Sequence, residues 1–306
     1  MLLLIKYTLL YGIVLMLVAL GGMFSEHSGI INIALEGIMV IGGVAGVLTL
    51  TMLPADMSPF LVVLISVLVA ALAGMVYSLL LAFASINLKA DQTIGGTALN
   101  LLATALAMVI AKGVNHSASA KLDYSNRVFV YDFGPLTVNV FLFIGLVALV
   151  LSYIVLYKTR LGLRLRACGE HPQAADSVGI NVYKMRWAGV LISGMLGGLG
   201  GIVFITAGVS EWRFEYGVAG FGFLSLAVMI FGQWKPTRIA LAALLFGLFR
   251  ALSNVYAGFE FLKNLNLPSP VYNMMPYIIS LVVLAFTSKK SRAPKAEGIP
   301  YDKGQR

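Results

Sequence analysis

Long apolar runs separated by short polar stretches dominate the chain. A membrane-crossing helix takes roughly 20 mainly apolar residues, with a range of about 17–25. Nine runs meet or approach that length: 7–24, 30–52, 60–86, 94–112, 138–157, 187–208, 218–233, 239–257 and 272–287. The seventh and ninth are short, which leaves open tilting into neighbours, extension at their ends or a partly re-entrant path. Pro54, Pro59, Pro268, Pro270 and Pro276 punctuate segment ends, as residues that cannot continue a helix do. Barrel strands need only about 10 alternating residues, and backbone in lipid must satisfy its own hydrogen bonds. The expected class is therefore all-α, a polytopic membrane-embedded helical bundle of about nine (eight to ten) transmembrane helices. The opening MLLLIKYTLLYGIVLMLVALGG lacks the basic start of a signal peptide, despite a small-x-small site at Ala19-Leu20-Gly21, and reads as a retained first span.

Composition agrees. Of 306 residues, 59% are hydrophobic and 11% charged, and the mean hydropathy is +0.90, whereas soluble domains carry about 25% charged residues. A net charge of +9 would suit nucleic acid, but its distribution reports topology instead. With the N-terminus outside, 15 Lys and Arg fall on the inner side and 6 on the outer, with Arg250 inside a span. That bias puts the C-terminus in the cytoplasm, and no nucleic-acid partner is expected. Residues 1–287 then form a single transmembrane domain with a cytoplasmic loop at 158–186. Residues 288–306 form a polar, disordered cytoplasmic tail. The single cysteine, Cys168, rules out an internal disulfide and reads as an ordinary loop thiol.

The sixth run holds seven glycines in the 22 residues from Trp187 to Gly208, and Gly189, Ser193, Gly197 and Gly201 recur every four residues. Gly42 and Gly46 repeat the theme in the second. In lipid, close backbone approach at small residues carries much of helix packing. The ridge serves either static packing or sliding.

Recognisable catalytic chemistry is missing. No G-x-x-x-x-G-K-[ST] or G-x-S-x-G occurs, and His27, His116 and His171 show no metal-ligand spacing, so neither a catalytic set nor a metal site is expected. Glu36 and Arg250 alone lie well inside runs; such groups are costly in lipid and tend to be functional, but two isolated charges make no proton path. Glu36 is either a pathway or gate carboxylate about two turns into its span, or a local structural acid. Asn32 and Asn100 could meet a solute's hydroxyl or base edge, or tie helices together. Arg250 could snorkel outward, or meet a solute, Glu215 or Glu260. Trp212, Tyr216 and Tyr256 suit the outer interface.

The central stretch KTRLGLRLRACGEHPQAADSVGINVYKMR (158–186) holds eight charged residues. Within it Pro172 suits a first helical position and Gly179 a stop, which predicts a helix of under two turns. Such a helix is marginal alone. Ala174, Ala175 and Val178 offer a small apolar edge flanked by Glu170 and Asp176, suited to a groove in a cytoplasmic protein. A solvated turn is the other reading.

This loop resembles the coupling loop of bacterial ABC-importer permeases, where a short Ala-Ala…Gly helix docks into the ATPase subunit. Three further stretches are similar to that family's branch of nucleoside, branched-chain amino acid and ribose permeases: MFSEHSGIINIALEG (23–37), LKADQTIGGTALNLLA (88–103) and GFGFLSLAVMIFGQWKP (220–236). The combination most resembles the shorter nucleoside permease subunit. His171 stands where the family usually has Asn, and His27 where Arg is commoner. The resemblance implies ATPase coupling through Gly169, Glu170, His171, Pro172, Ala174, Ala175, Asp176 and Gly179. It also implies a cytoplasmic ABC ATPase that binds the ATP and Mg, a second related permease, an extracytoplasmic solute-binding lipoprotein, and a bacterial plasma-membrane location. The chain itself binds no cofactor and is no enzyme in this reading. Asn32, Glu36, Asn100 and Arg250 are the candidate pathway residues. The expected function is nucleoside import. Branched-chain amino acid or ribose import is the alternative, and an ion-coupled carrier a further one.

Overall fold

The computed structural model of the protein describes residues 2–304 apart from 55, 117, 126, 134–135, 207–210, 256–257, 259–267 and 288–291. Tyr256, Glu260, Lys263, Lys289, Lys290 and Arg306 lie outside the described residues. Each of the nine apolar runs falls on a helix: α1 (Leu2–His27), α2 (Leu35–Met52), α3 (Pro59–Ala82), α4 (Gln92–Asn115), α5 (Phe141–Lys158), α8 (Val182–Thr206), α9 (Phe221–Phe231), α10 (Pro236–Val255) and α11 (Ser269–Thr287). The central loop supplies α6 (Arg160–Glu170) and α7 (Pro172–Ser177). Seven described helices are long and apolar enough to cross a membrane: α1, α2, α3 with its π-helical extension Phe83–Asn87, α4, α5, α8 and α10. The protein is a polytopic helical membrane protein.

Local chemistry sets the helix ends. Ser58 and Asp91 cap the starts of α3 and α4 by accepting from backbone N–H groups of Leu61, and of Thr93 and Ile94. α1 ends in a Schellman turn: Ile30 N donates to Ser25 O and Gly29 N to Glu26 O, with Gly29 at φ 93°. The same turn closes α7, where Ile180 N donates to Ala175 O and Gly179, at φ 83°, donates to Asp176 O.

One expectation is corrected, and the short seventh run is narrowed to one of the paths left open for it. The run 30–52 is not helical from its start: residues 28–34, which begin with the turn at Gly29, have no regular structure, and α2 begins only at Leu35. The run 218–233 yields the 11-residue α9, about 16 Å at 1.5 Å per residue, half of a hydrocarbon core of about 30 Å. It is a half-helix, entered through left-handed residues Ala219 and Gly220.

The core lies around α8, which packs against α1, α2 and α3, while α1 also packs on α9 and α10. The glycine ridge brings backbones into contact. A Cβ added at Gly201 would stand 1.9 Å from Met39 O, and one at Gly198 would stand 2.3 Å from Ala70 O. Overpacking costs about 1–3 kcal/mol even where side chains can yield, and here backbone faces backbone. Gly201→Val is accordingly expected to deplete folded chain from the membrane and lower its melting temperature in detergent. Facing outward, α3, α4 and α5 expose Leu72, Val76, Leu101, Val109, Leu146 and Val150, the surface a bundle presents to lipid or to another membrane helix.

At the end remote from α6 and α7, short strands tie two connections together. β1 (Lys121–Asp123) pairs antiparallel with β4 (Glu211–Arg213), Leu122 opposite Trp212. β2 (Val130–Phe133) and β3 (Leu136–Asn139) form a hairpin. Lys121 bridges Asp123 and Glu211 at 3.1 and 2.5 Å.

Candidate functional site

The break between α1 and α2 collects buried polar contacts from several helices. Asn100 on α4 accepts from Gly37 N at 2.7 Å through Oδ1 and donates to Ile33 O at 2.9 Å through Nδ2. Gln92, eight residues earlier on α4, accepts from Ile31 N at 2.7 Å. Asn32 donates to Ser193 Oγ on α8 at 2.8 Å. Backbone groups freed by the break would be costly in lipid, and α4 and α8 satisfy several of them. Asn32 and Asn100 therefore tie helices together. Gln92 belongs to the same set and was missed, although it stands in the quoted LKADQTIGG stretch.

Glu36 lies in the first turn of α2, not two turns into a span, because the helix starts late. Its Oε1 accepts from Gly220 N at 2.8 Å and its Oε2 from Gly222 N at 2.6 Å. The carboxylate thus caps the N-terminus of half-helix α9, where unsatisfied N–H groups and the helix dipole favour negative charge. Gly222 permits this approach: a Cβ there would meet Glu36 N at 2.4 Å.

Arg250 comes to the same place from α10. Its guanidinium lies 5.4 Å from the Phe221 ring centroid and 5.9 Å from that of Tyr11. It packs on rings of α9 and α1, and among the described residues it makes no ion pair with Glu215. Asn254 donates to the Tyr11 hydroxyl, and Tyr277 on α11 donates to Ala219 O at 2.8 Å. Glu36 and Arg250 thereby converge on the first residues of α9, while Asn32 and Asn100 hold the irregular segment leading into α2. Trp212 packs edge-on against Phe204 at 5.2 Å and donates to Gly217 O; Tyr216 is exposed.

The second site is the α6–α7 corner. Thr159 caps α6 by accepting from Gly162 N at 3.2 Å. His171 caps α7, its Nδ1 accepting from Ala174 N at 3.4 Å, with Pro172 in the first turn. An imidazole nitrogen here takes the part an Asn oxygen would take. Gly169 has no room for a side chain: a Cβ would lie 2.3 Å from His27 O. The faces of α7 differ from the expected edge. Ala175 is only 3% exposed and packs with Cys168, Val182 and Tyr301. Ala174 is exposed, as is Val178 at 75%. The outward edge is thus Gln173, Ala174, Ser177 and Val178, with Glu170 beside it, and Ala175 faces the chain's own interior.

Residues 292–304, read from their polarity as a disordered tail, are instead packed under this corner. Pro294, Ala296 and Tyr301 are buried. Ala296 N donates to Gly169 O at 2.8 Å and Gly298 N to Gly29 O at 3.2 Å. Glu297 hydrogen-bonds Glu26, and burial pushes the Glu297 carboxyl above its usual range. Glu26 also accepts from Trp234 Nε1, while His27 Nε2 donates to Trp234 O at 3.2 Å. A small apolar set within a basic tail, Pro294, Ala296 and Tyr301, is the sequence signal of this docking.

The chain matches the family described as branched-chain amino acid transport system / permease component over residues 4–286. It is similar to the nucleoside ABC transporter permease protein NupC of Lactococcus lactis subsp. cremoris (strain MG1363), 41% identical over 311 residues, which cover 97% of this chain and 96% of that protein. It is similar to the guanosine ABC transporter permease protein NupQ of Bacillus subtilis (strain 168), 39% identical over 313 residues, 98% of this chain and 96% of the other. The nucleoside ABC transporter permease protein NupB of the same Lactococcus strain is 29% identical over 175 residues, 56% of this chain and 46% of NupB. No solved structure matches.

Proposed function

This chain belongs to the family of branched-chain amino acid transport system permease components, and from that premise we propose that it is the membrane subunit of an ATP-driven importer of nucleosides. The observation that carries the reading is the joint likeness to NupC and NupQ over nearly the whole chain. The structure supports it with a short, firmly capped helix, α7, whose outward edge is free of the chain's own packing.

In this reading the N-terminus is outside, and α6, α7 and the tail are cytoplasmic, as the excess of Lys and Arg at that end favours. Gln173, Ala174 and Val178 enter a groove of a separate ATPase, which binds ATP and Mg. A second permease completes the pathway; the similarity of NupB, from the same strain as NupC, favours a related but distinct chain. A solute-binding lipoprotein meets the strand-bearing end. When ATP closes the ATPase, α7 moves, and the 28–34 break and half-helix α9, joined through Glu36, change their tilt together.

Proteoliposomes test the energy source. Uptake of labelled guanosine is expected to need the ATPase, the second permease, the binding protein and ATP, and to persist with an ionophore. Uptake by this chain alone, abolished by the ionophore, would instead identify an ion-coupled carrier.

A further inference from the structure

The docked segment 292–304 touches four parts of the molecule: the α6–α7 corner, the α1–α2 break, the base of α8 and the chain ahead of α4. It holds the α6–α7 corner through Ala296 N to Gly169 O, through Lys303, 3.9 Å from Asp176, and through the Tyr301 hydroxyl, which hydrogen-bonds Asp176. At the α1–α2 break it reaches Gly29 O through Gly298 N. Its hold on the base of α8 is Arg186, whose Nη2 donates to Ile299 O at 2.9 Å. Arg186 is 1% exposed, and its guanidinium lies 5.9 Å from the Tyr301 ring centroid. Tyr301, 4% exposed, also meets Tyr183 edge-on at 5.3 Å. Asp302 pairs with Lys89 ahead of α4 at 3.0 Å. A buried guanidinium with its partner on the tail is an expensive arrangement for a segment that only trails into solvent.

We propose that residues 292–304 are a strap that transmits movement of α7 to the α1–α2 break, with Tyr301 and Arg186 as its positioning residues. The proposal rests on the coupling role of α7 argued above. A six-residue helix joined to α8 by a short turn can shift while the turn absorbs the displacement. The strap adds a second link beside the direct packing of Gly169 on His27. Gly169 and Asp176 are fastened to Ala296 and to Tyr301 and Lys303, and between these Gly298 touches Gly29, three residues before Asn32 and seven before Glu36.

Cys168, the chain's single cysteine, reports whether the strap is docked. It is fully buried beside Tyr301, and burial pushes its thiol up to about 11. In membranes holding the complete transporter, maleimide labelling of wild-type chain at pH 8 is expected to be slow and to quicken as pH rises. Tyr301→Ala should raise the rate on the order of a hundredfold, the gain in thiolate on return to a free-cysteine pKa of about 8.5. The same variant should retain the ATPase on co-purification and continue ATP hydrolysis, while nucleoside uptake per ATP falls about tenfold or more. Tyr301→Phe, which keeps the ring and loses the bond to Asp176, should leave labelling slow and lower the uptake-to-hydrolysis ratio by less. Asp302→Lys, on a half-exposed pair, is the second variant if Tyr301→Ala reduces the amount of chain in the membrane; it should move both readouts in the same sense.

Fast labelling with an unchanged uptake-to-hydrolysis ratio would overturn the strap's transmitting role. Labelling as slow as wild type in Tyr301→Ala, or loss of the ATPase on co-purification, would overturn it as well. Failure of the underlying reading looks different: Val178→Glu would then import normally, whatever the strap variants do.

Discussion

Glu36→Gln is expected to reduce nucleoside uptake at least about tenfold, the factor that 1.4 kcal/mol makes, while the chain still reaches the membrane. The carboxylate accepts from two backbone N–H groups at the start of α9. Hydrogen bonds to a charged group contribute about 1.5–3 kcal/mol each. A Gln amide supplies one acceptor and turns its NH2 toward the other N–H, and it removes the negative charge that the helix end favours. The half-helix would keep its packing through Leu224 and Val228, both buried, but lose its link to α2. Glu36→Asp keeps the charge with a shorter reach and should fall between. Uptake by Glu36→Gln at the wild-type rate would show that this link has no part in transport.

Val178→Glu is expected to abolish uptake without unfolding the chain. Val178 is 75% exposed at the end of α7, so the chain itself tolerates a charge there. Seated in a partner's groove, an unpaired carboxylate costs about 3–5 kcal/mol, at least a hundredfold in occupancy. Ala174→Glu should behave alike. Ala175→Glu should not: that side chain lies between Cys168, Val182 and Tyr301, and a carboxylate there would disrupt the corner and lower the amount of folded chain. Comparing membrane abundance with uptake for the three variants separates docking from packing.

The helical class and the places of the helices were legible because a run of about 20 apolar residues has few alternatives in a bilayer. The small helix in the central loop was legible too, since Pro172 and Gly179 are punctuation with a mechanism. The missed features are those that composition averages away. The turn at Gly29 ends α1 and delays the start of α2 to Leu35, because one left-handed residue ends a helix whatever the hydrophobicity around it. α9 was legible as a short segment, but that its N-terminus meets Glu36 needs the three-dimensional path of chain 184 residues further on. Ala175 was assigned to the wrong face because a six-residue helix has too little periodicity to show which side is covered. The docking of the tail is not legible because its anchors are backbone groups, one tyrosine and charged side chains whose partners lie far off in the sequence, and charges read from sequence alone suggest a solvated end.

The measurement that bears most directly on the central claim is uptake of labelled guanosine, adenosine, uridine, ribose and leucine by cells with and without the gene for this chain. Loss of one or more nucleosides, with ribose and leucine unaffected and uptake restored by the returned gene, is the predicted result. Loss of ribose or leucine instead, or of none of the five, would contradict it.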